Sequence, residues 1–140
     1  MQEEARVART GLESRKGGII DKPHKKLDLW KLSMEFVLDI FDITKTFPIE
    51  EKYVLIPQVR RSVLSIPSNI AEGAGRNTKK EFANFLHVAQ GSLSELDTQL
   101  EIALKLKYIA TDLYDKLNTT MERIDKMLTG LIRNQLRAKR

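Results

Sequence analysis

The acidic and histidine residues are the first candidates for chemistry in this sequence of 140 residues. Glu95, Asp97 and Glu101 stand close together, and carboxylates that share one place can hold a divalent metal ion. A di-iron site in a helical bundle also needs two Glu-x-x-His pairs that face inward. The chain has only His24 and His87, and neither follows a glutamate at that spacing. Because no nucleophile elbow or Ser/His/Asp set is recognisable either, we predict that the protein is not an enzyme and holds no metal or cofactor.

A glycine-rich segment, GAGRNTKK at residues 73–80, is the next candidate site. It puts cations just before a helix N-terminus, where free N–H groups and the helix dipole favour an anion. The segment lacks the phosphate-loop pattern, which needs four residues between its first glycine and a Gly-Lys-Ser/Thr ending. Gly73 is therefore interpreted as a left-handed residue that closes a helix. The cations of this segment are candidate contacts to a backbone phosphate: Arg76, Lys79 and Lys80.

The other candidate polyphosphate-binding residues are cations of the second helix and of the C-terminus. Residues 1–26 carry seven basic and four acidic side chains, residues 27–130 carry 13 and 15, and residues 131–140 carry four and none. Basic ends bind polyphosphate in some proteins and only aid solubility in others. Arginines in the body equally suit ion pairs with neighbouring helices or subunits, so both interpretations stay open. The full candidate set is Arg60, Arg61, Arg76, Lys79, Lys80, Arg133, Arg137, Lys139 and Arg140.

Asn69 and Glu72 are polar residues near the end of a largely apolar helix. Buried polar groups need hydrogen-bond partners, and Arg76 and Ser92 are candidates for that role. We predict that Asn69 and Glu72 belong to a structural network that fixes a helix bend at Pro67, and not to a catalytic site.

Helical periodicity runs through most of the chain, and strand signals are nearly absent. Asp28 is predicted to cap a first helix that ends near Phe47, and Pro57 to be the first residue of a second helix. Thr78 and Glu81 form a capping box before a third helix. The apolar seam of that helix is Phe82, Leu86, Ala89, Leu93, Leu96, Leu100 and Ala103. A fourth helix is predicted to be capped by Thr111 and to bury Leu113, Leu117, Thr120, Ile124, Met127 and Leu131.

Four amphipathic helices with short connections predict an all-α, antiparallel up-down four-helix bundle. We assign residues 27–132 to this bundle, between a flexible basic N-terminal arm at residues 1–26 and a basic C-terminal tail at residues 133–140. The sequence has no cysteine and no apolar run near the ~20 residues that a membrane span needs. It also has no export signal, so we expect a cytoplasmic protein without a membrane partner.

The first helix has more apolar surface than one bundle core needs. Its apolar arc covers roughly 240° of the helix circumference, whereas a core-facing stripe needs little more than about 100°. We therefore predict that a second face packs against another copy of the chain, while burial by the arm or in the centre of the bundle stays an alternative. The residues of that second face are Trp30, Met34, Val37, Leu38 and Phe41.

Two motifs carry a resemblance to a known family. RRSVLSIPSNIAEGAGR begins at Arg60 and GSLSELDTQL begins at Gly91, and DLWKLSMEF in the first helix fits as well. These motifs resemble the small bacterial four-helix-bundle proteins first noticed in intervening sequences of 23S ribosomal RNA genes. The likeness covers roughly residues 27–130, and Pro57 stands where a small polar cap is expected.

The resemblance implies an antiparallel bundle that assembles into a closed ring, typically a pentamer, and that associates with ribosomal RNA or ribosomes. It supplies no catalytic residues, and by analogy it makes Arg60, Arg61 and Arg76 candidate RNA contacts. We therefore expect a non-enzymatic oligomer that binds structured RNA or a ribonucleoprotein through arginine and lysine. The alternative is a scaffold that serves a retroelement reverse transcriptase as an accessory subunit, which is the role of a related branch.

Overall fold

A computed structural model describes residues 22–137 of the chain. Within that range four α-helices and two short 3-10 helices follow one another, and no strand is present. This confirms the all-α prediction. The α-helices are α1 (Asp28–Thr44), α2 (Leu55–Ala74), α3 (Lys79–Lys105) and α4 (Thr111–Arg137), and the 3-10 helices are Pro23–Lys26 and Ile49–Glu51.

Hydrogen bonds between neighbouring helices establish that α3 and α4 are antiparallel. Gln90, in the first half of α3, donates to Asp125 at 3.2 Å and to Thr129 at 3.0 Å, both in the second half of α4. Tyr114, at the start of α4, donates from its hydroxyl to Asp97, late in α3, at 3.2 Å. Early residues of one helix therefore face late residues of the next, as an up-down bundle requires.

The start of α3 follows the predicted cap. Thr78 Oγ1 accepts a hydrogen bond from the backbone N–H of Glu81 at 3.1 Å, and α3 begins at Lys79. The side chain supplies an acceptor to one of the first N–H groups, which have no partner within the helix. The predicted seam is also confirmed, because every member is buried except the half-buried Phe82: Leu86, Ala89, Leu93, Leu96, Leu100 and Ala103.

The predicted starts of the first two helices are wrong by one or two residues. Leu27 is the N-cap of α1, and Asp28 is its first helical residue, with no side-chain cap. In the first turn the Asp28 carboxylate still interacts favourably with the helix dipole. α2 begins at Leu55, and the Leu55 N–H donates to Glu51 Oε1 at 3.3 Å. Pro57 fits as the third residue because the N–H groups of a first turn have no partner in the helix.

Gly73 lies inside α2, so its interpretation as a left-handed closing residue is wrong. The physical reason for a glycine is close packing against α3. A Cβ at this position would lie 2.8 Å from Phe82 Cδ1 and 2.8 Å from Phe85 Cβ. The helix continues to Ala74, and Gly75 caps it with a right-handed φ of −88°.

The buried face of α4 is rotated by about one residue from the prediction. Its buried side chains are Leu117, Met121, Ile124, Leu128 and Ile132. The predicted members Leu113, Thr120, Met127 and Leu131 are half-buried at the margin of this face. Steps of three and four from two neighbouring starting residues fit the same apolar pattern almost equally well, so sequence alone chooses between them poorly.

α4 also extends further than the predicted bundle, because it ends at Arg137. Arg133 and Arg137, assigned from sequence to a C-terminal tail, therefore lie on its last two turns. Ile132 is buried and Gln135 is half-buried, so packing against the bundle continues beyond residue 132.

Candidate nucleic-acid interface

The antiparallel topology gathers five exposed cations at one end of the bundle. α2 ends there, α3 begins there and α4 ends there, while α1 begins at the same end. The cations are Arg76, Lys79, Lys80, Arg133 and Arg137, and we call them the basic end. Two further candidate contacts, Lys139 and Arg140, lie outside the described residues, as does most of the predicted N-terminal arm.

A cleft of about 400 Å³ lies within the basic end, between the start of α1 and the last turns of α4. Leu27 and Leu29 line it from one side, and Arg133 and Arg137 line it from the other. Asp28 also lines this cleft, so one carboxylate accompanies the two guanidinium groups. The two arginines thus stand on a partly apolar, concave surface instead of an open helix face.

Arg76 is held by two contacts at the junction of α2 and α3. Its Nη2 donates to Glu72 Oε2 at 2.7 Å. Its guanidinium carbon lies 4.8 Å from the centroid of the Phe85 ring, in cation–π geometry. Phe85 is absent from the residues predicted from sequence, because its contact with Arg76 joins two helices and no local spacing signals it.

His24 belongs to the first 3-10 helix, which precedes α1 at the same end of the bundle, and its pKa is shifted by its surroundings. The pKa of His24 is lowered, first by burial and then by the positive charges of Lys25 and Lys22. Its ring meets Trp30 edge-on, with 5.0 Å between the centroids. The lowered pKa favours the neutral imidazole, chiefly because burial disfavours the charged form and secondarily because the two lysines repel a positive charge.

Arg60 has a different environment, at the C-terminal end of α1. Its Nε donates to Thr44 Oγ1 at 2.8 Å, and its Nη2 donates to the carbonyl of Phe41 at 3.3 Å. Its guanidinium carbon also lies 4.6 Å from the centroid of the Phe41 ring. A cation at this position satisfies a late carbonyl of the helix and interacts favourably with its dipole.

Arg61 is exposed but lies far from the basic end. Arg61 is 13 residues before the last residue of α2, Ala74. At 1.5 Å per residue this is about 20 Å along the helix axis. The structure therefore separates the arginines that the sequence grouped together into two distant sets.

Asn69 takes part in a hydrogen-bonded network between α2 and α3. Its Nδ2 donates to the carbonyl of Ser65 at 2.8 Å and to Ser65 Oγ at 2.9 Å. Ser65 Oγ is 2.7 Å from Ser92 Oγ, which itself donates to the carbonyl of Val88 at 3.2 Å. Pro67, two residues after Ser65, lies inside α2 and lacks the N–H that would bond to the carbonyl of Val63.

Glu72 is exposed and is not linked to Asn69 by any contact recorded for the described chain. Its recorded partner is Arg76, one helical turn away.

Much of the apolar arc of α1 is covered within the chain itself. Val37 is only 9% exposed and belongs to the core, so it can contribute little to an interface with another copy. Trp30 and Phe41 are half-buried, while Met34 is 42% and Leu38 is 68% exposed. These four residues form a stripe along α1, which we call the α1 stripe.

Two of the three carboxylates considered for metal binding have other contacts. Asp97 accepts from Tyr114, and Glu101 lies 3.9 Å from Lys105. Across residues 22–137 no group of three or more potential metal ligands occurs. The same residues contain no helix with the length and apolar character needed to cross a membrane.

Comparisons with known proteins give the family. The family model described as 23S rRNA-intervening sequence protein matches residues 25–130. The chain belongs to this family. Among solved structures, it is similar to a protein of unknown function from the S23 ribosomal protein family of Bacteroides thetaiotaomicron, with 29% identity and a TM-score of 0.70. That match covers 75% of this chain and 95% of the other, and the search of curated proteins finds no match.

Proposed function

We propose that this family member is a non-enzymatic RNA-binding protein whose basic end contacts the phosphates of structured RNA, in ribosomal RNA or a ribonucleoprotein. The observation that carries the proposal is the set of five exposed cations from three helix ends. Clustered lysine and arginine on one face is the electrostatic footprint of a nucleic-acid-binding surface. The family's link to 23S rRNA supports RNA as the polyanion, and such a partner implies the cytoplasm.

The basic end suits a backbone partner because most of its charge is available. Lys79, Lys80, Arg133 and Arg137 have no recorded ion pair with any other described residue. Their long side chains can follow the shape of an RNA helix, which proteins recognise mainly through phosphates and 2′-hydroxyls. The charge that RNA carries then makes binding weaken steeply as salt concentration rises.

We further propose that copies of the chain associate through the α1 stripe into a closed ring, as the family resemblance implies. Two large side chains of this stripe, Met34 and Leu38, are exposed on one helix face. A ring would present several basic ends to one RNA, so each contact would raise the effective concentration for the next. The alternative role as an accessory subunit of a reverse transcriptase stays a prediction from the resemblance alone.

The basic end can be tested by changing Lys79, Lys80, Arg133 and Arg137 together to alanine. We expect the affinity for a labelled stem–loop RNA, measured by fluorescence anisotropy at low salt, to fall more than about tenfold. The slope of log K against log salt should become shallower by about one unit for each phosphate that the variant no longer neutralises.

The matched control removes the same charge from the other end of the bundle. It changes Lys45, Lys52, Lys105 and Lys116, all exposed, to alanine and should retain nearly the affinity of the unchanged protein. Equal losses in the two variants would mean that net charge, and not the basic end, drives binding. Absence of RNA binding by the unchanged protein in low salt would remove the proposed function.

A further inference from the structure

Arg76 differs from the other cations of the basic end because its charge is already paired. Glu72 Oε2 accepts from its Nη2 at 2.7 Å, and no ion pair is recorded for the other four among the described residues. The side chains of Arg76 and Glu72 are 42% and 53% exposed, so the pair lies at the surface. A guanidinium beside a carboxylate attracts a phosphate less than a free one does, because the carboxylate repels the phosphate.

The guanidinium plane of Arg76 is also oriented before any ligand arrives. The Phe85 ring lies against it, with 4.8 Å between the guanidinium carbon and the ring centroid. Phe85 is half-buried and lies close to the backbone of Gly73, because its Cβ is 2.8 Å from where a Cβ on Gly73 would be. One nitrogen of the guanidinium is thus held by a carboxylate, and the guanidinium carbon lies over an aromatic ring.

A paired, planar and oriented guanidinium suits the face of an unpaired base better than it suits a phosphate. Unpaired bases of RNA stack on arginine planes as well as on aromatic rings. A base in a continuous duplex offers no free face, since both of its faces are stacked on neighbouring bases. Lys79 and Lys80 follow Arg76 by three and four residues, close enough to contact the phosphates that flank such a base.

We propose that Arg76 is a stacking platform for an unpaired base, so that the basic end selects RNA with an exposed loop nucleotide over a continuous duplex. This proposal rests on the proposed function, because it names the RNA that the same surface prefers. The base stacks on the exposed face of the guanidinium, and the neighbouring lysines neutralise the phosphates on either side.

The test uses two stem–loop RNAs that differ only in the loop, where one has adenosines and the other has abasic nucleotides. Both RNAs carry the same number of phosphates, so a difference in affinity measures the contribution of the loop bases to binding. We expect the full-length protein to bind the adenosine loop about tenfold more tightly, as stacking of one base provides. Equal affinity for the two RNAs would overturn the stacking role while leaving RNA binding itself intact, and binding of neither would overturn both.

The matched variant is Arg76→Lys, which keeps the positive charge but replaces the planar guanidinium with an ammonium group. It should lose most of the preference for the adenosine loop, because its affinity for that loop falls much more than its affinity for the abasic loop. A control variant, Lys79→Ala with Lys80→Ala, should weaken binding of both RNAs by the same factor and leave the preference unchanged. A preference that survives in Arg76→Lys would show that another residue reads the base.

Discussion

Arg60 acts on the end of α1 through its hydrogen bonds with the Thr44 hydroxyl and the Phe41 carbonyl. Thr44 is fully buried, so water cannot replace the arginine as a partner there. Hydrogen bonds that involve a charged group are among the stronger ones in proteins. Arg60 is therefore a structural residue, whereas the exposed Arg61 beside it has no such contact recorded in the described chain.

We predict that Arg60→Ala lowers the free energy of unfolding by about 2 kcal/mol, because two charge-assisted hydrogen bonds are lost at a buried helix end. Arg61→Ala should change the free energy of unfolding by less than about 0.5 kcal/mol, as exposed substitutions usually do. Urea denaturation with an unchanged m-value measures both effects. Equal midpoints for the two variants would contradict the structural role of Arg60.

Sequence alone assigned the two adjacent arginines to one candidate RNA surface, because neighbouring residues of one type look equivalent in a pattern. Their difference comes from α1, whose end meets α2 at Arg60 only after the chain has folded. The placement of Arg133 and Arg137 at the same end of the bundle as Arg76, by contrast, follows from the antiparallel order of the helices.

Helix starts that depend on local sequence signals were predicted correctly, whereas those that depend on contacts between distant segments were not. Thr78 and Glu81 stand three residues apart, so the start of α3 was correct. The start of α2 depends on Glu51, which also accepts a hydrogen bond from the hydroxyl of Tyr108 at 2.7 Å. This hydrogen bond raises the pKa of Tyr108 and ties the α1–α2 connection to the α3–α4 connection, which no short window of sequence reveals.

The close approach of α2 and α3 at Gly73 gives a sharp prediction. Gly73→Ala should lower the free energy of unfolding by about 2 kcal/mol, because the added methyl group would overlap Phe82 and Phe85. Gly75→Ala is the matched control, since its nearest neighbours would be carbonyl oxygens at 3.7 Å and its φ of −88° suits alanine. The control should be neutral or more stable by about 0.5 kcal/mol, because alanine restricts the unfolded chain. Thermal unfolding of both variants shows whether close packing or helix propensity determines the effect of alanine at position 73.

The whole molecule combines one well-buried core with an uneven distribution of charge. Large aliphatic and aromatic side chains of all four helices fill the core, as the four apolar faces in the sequence predicted. The basic end receives its cations of α3 and α4 from the start of one helix and the end of the other, because these two helices are antiparallel. The apolar arc of α1 predicted a second face free for another copy, but much of this arc is covered by α2, α4 and Arg60 within the chain.

The surface of α1 that stays exposed leads to a prediction about assembly. Leu38 is 68% exposed at the centre of the α1 stripe, and a carboxylate there would be buried without a partner if another copy covered it. We therefore expect the unchanged protein to be an oligomer by light scattering, and Leu38→Glu to be a folded monomer. The same substitution at Val88, which is 52% exposed on α3, is the control and should leave the mass unchanged.

The monomeric variant also separates assembly from RNA binding. Its basic end is unchanged, so it should still bind a stem–loop RNA, but more weakly than the oligomer by the factor that several linked sites provide. A helical circular dichroism spectrum with an unchanged urea midpoint would show that Leu38→Glu acts on assembly and not on folding. If Leu38→Glu kept the oligomer mass, the α1 stripe would not be the interface. If the unchanged protein were itself a monomer, the basic end would have to bind RNA one copy at a time.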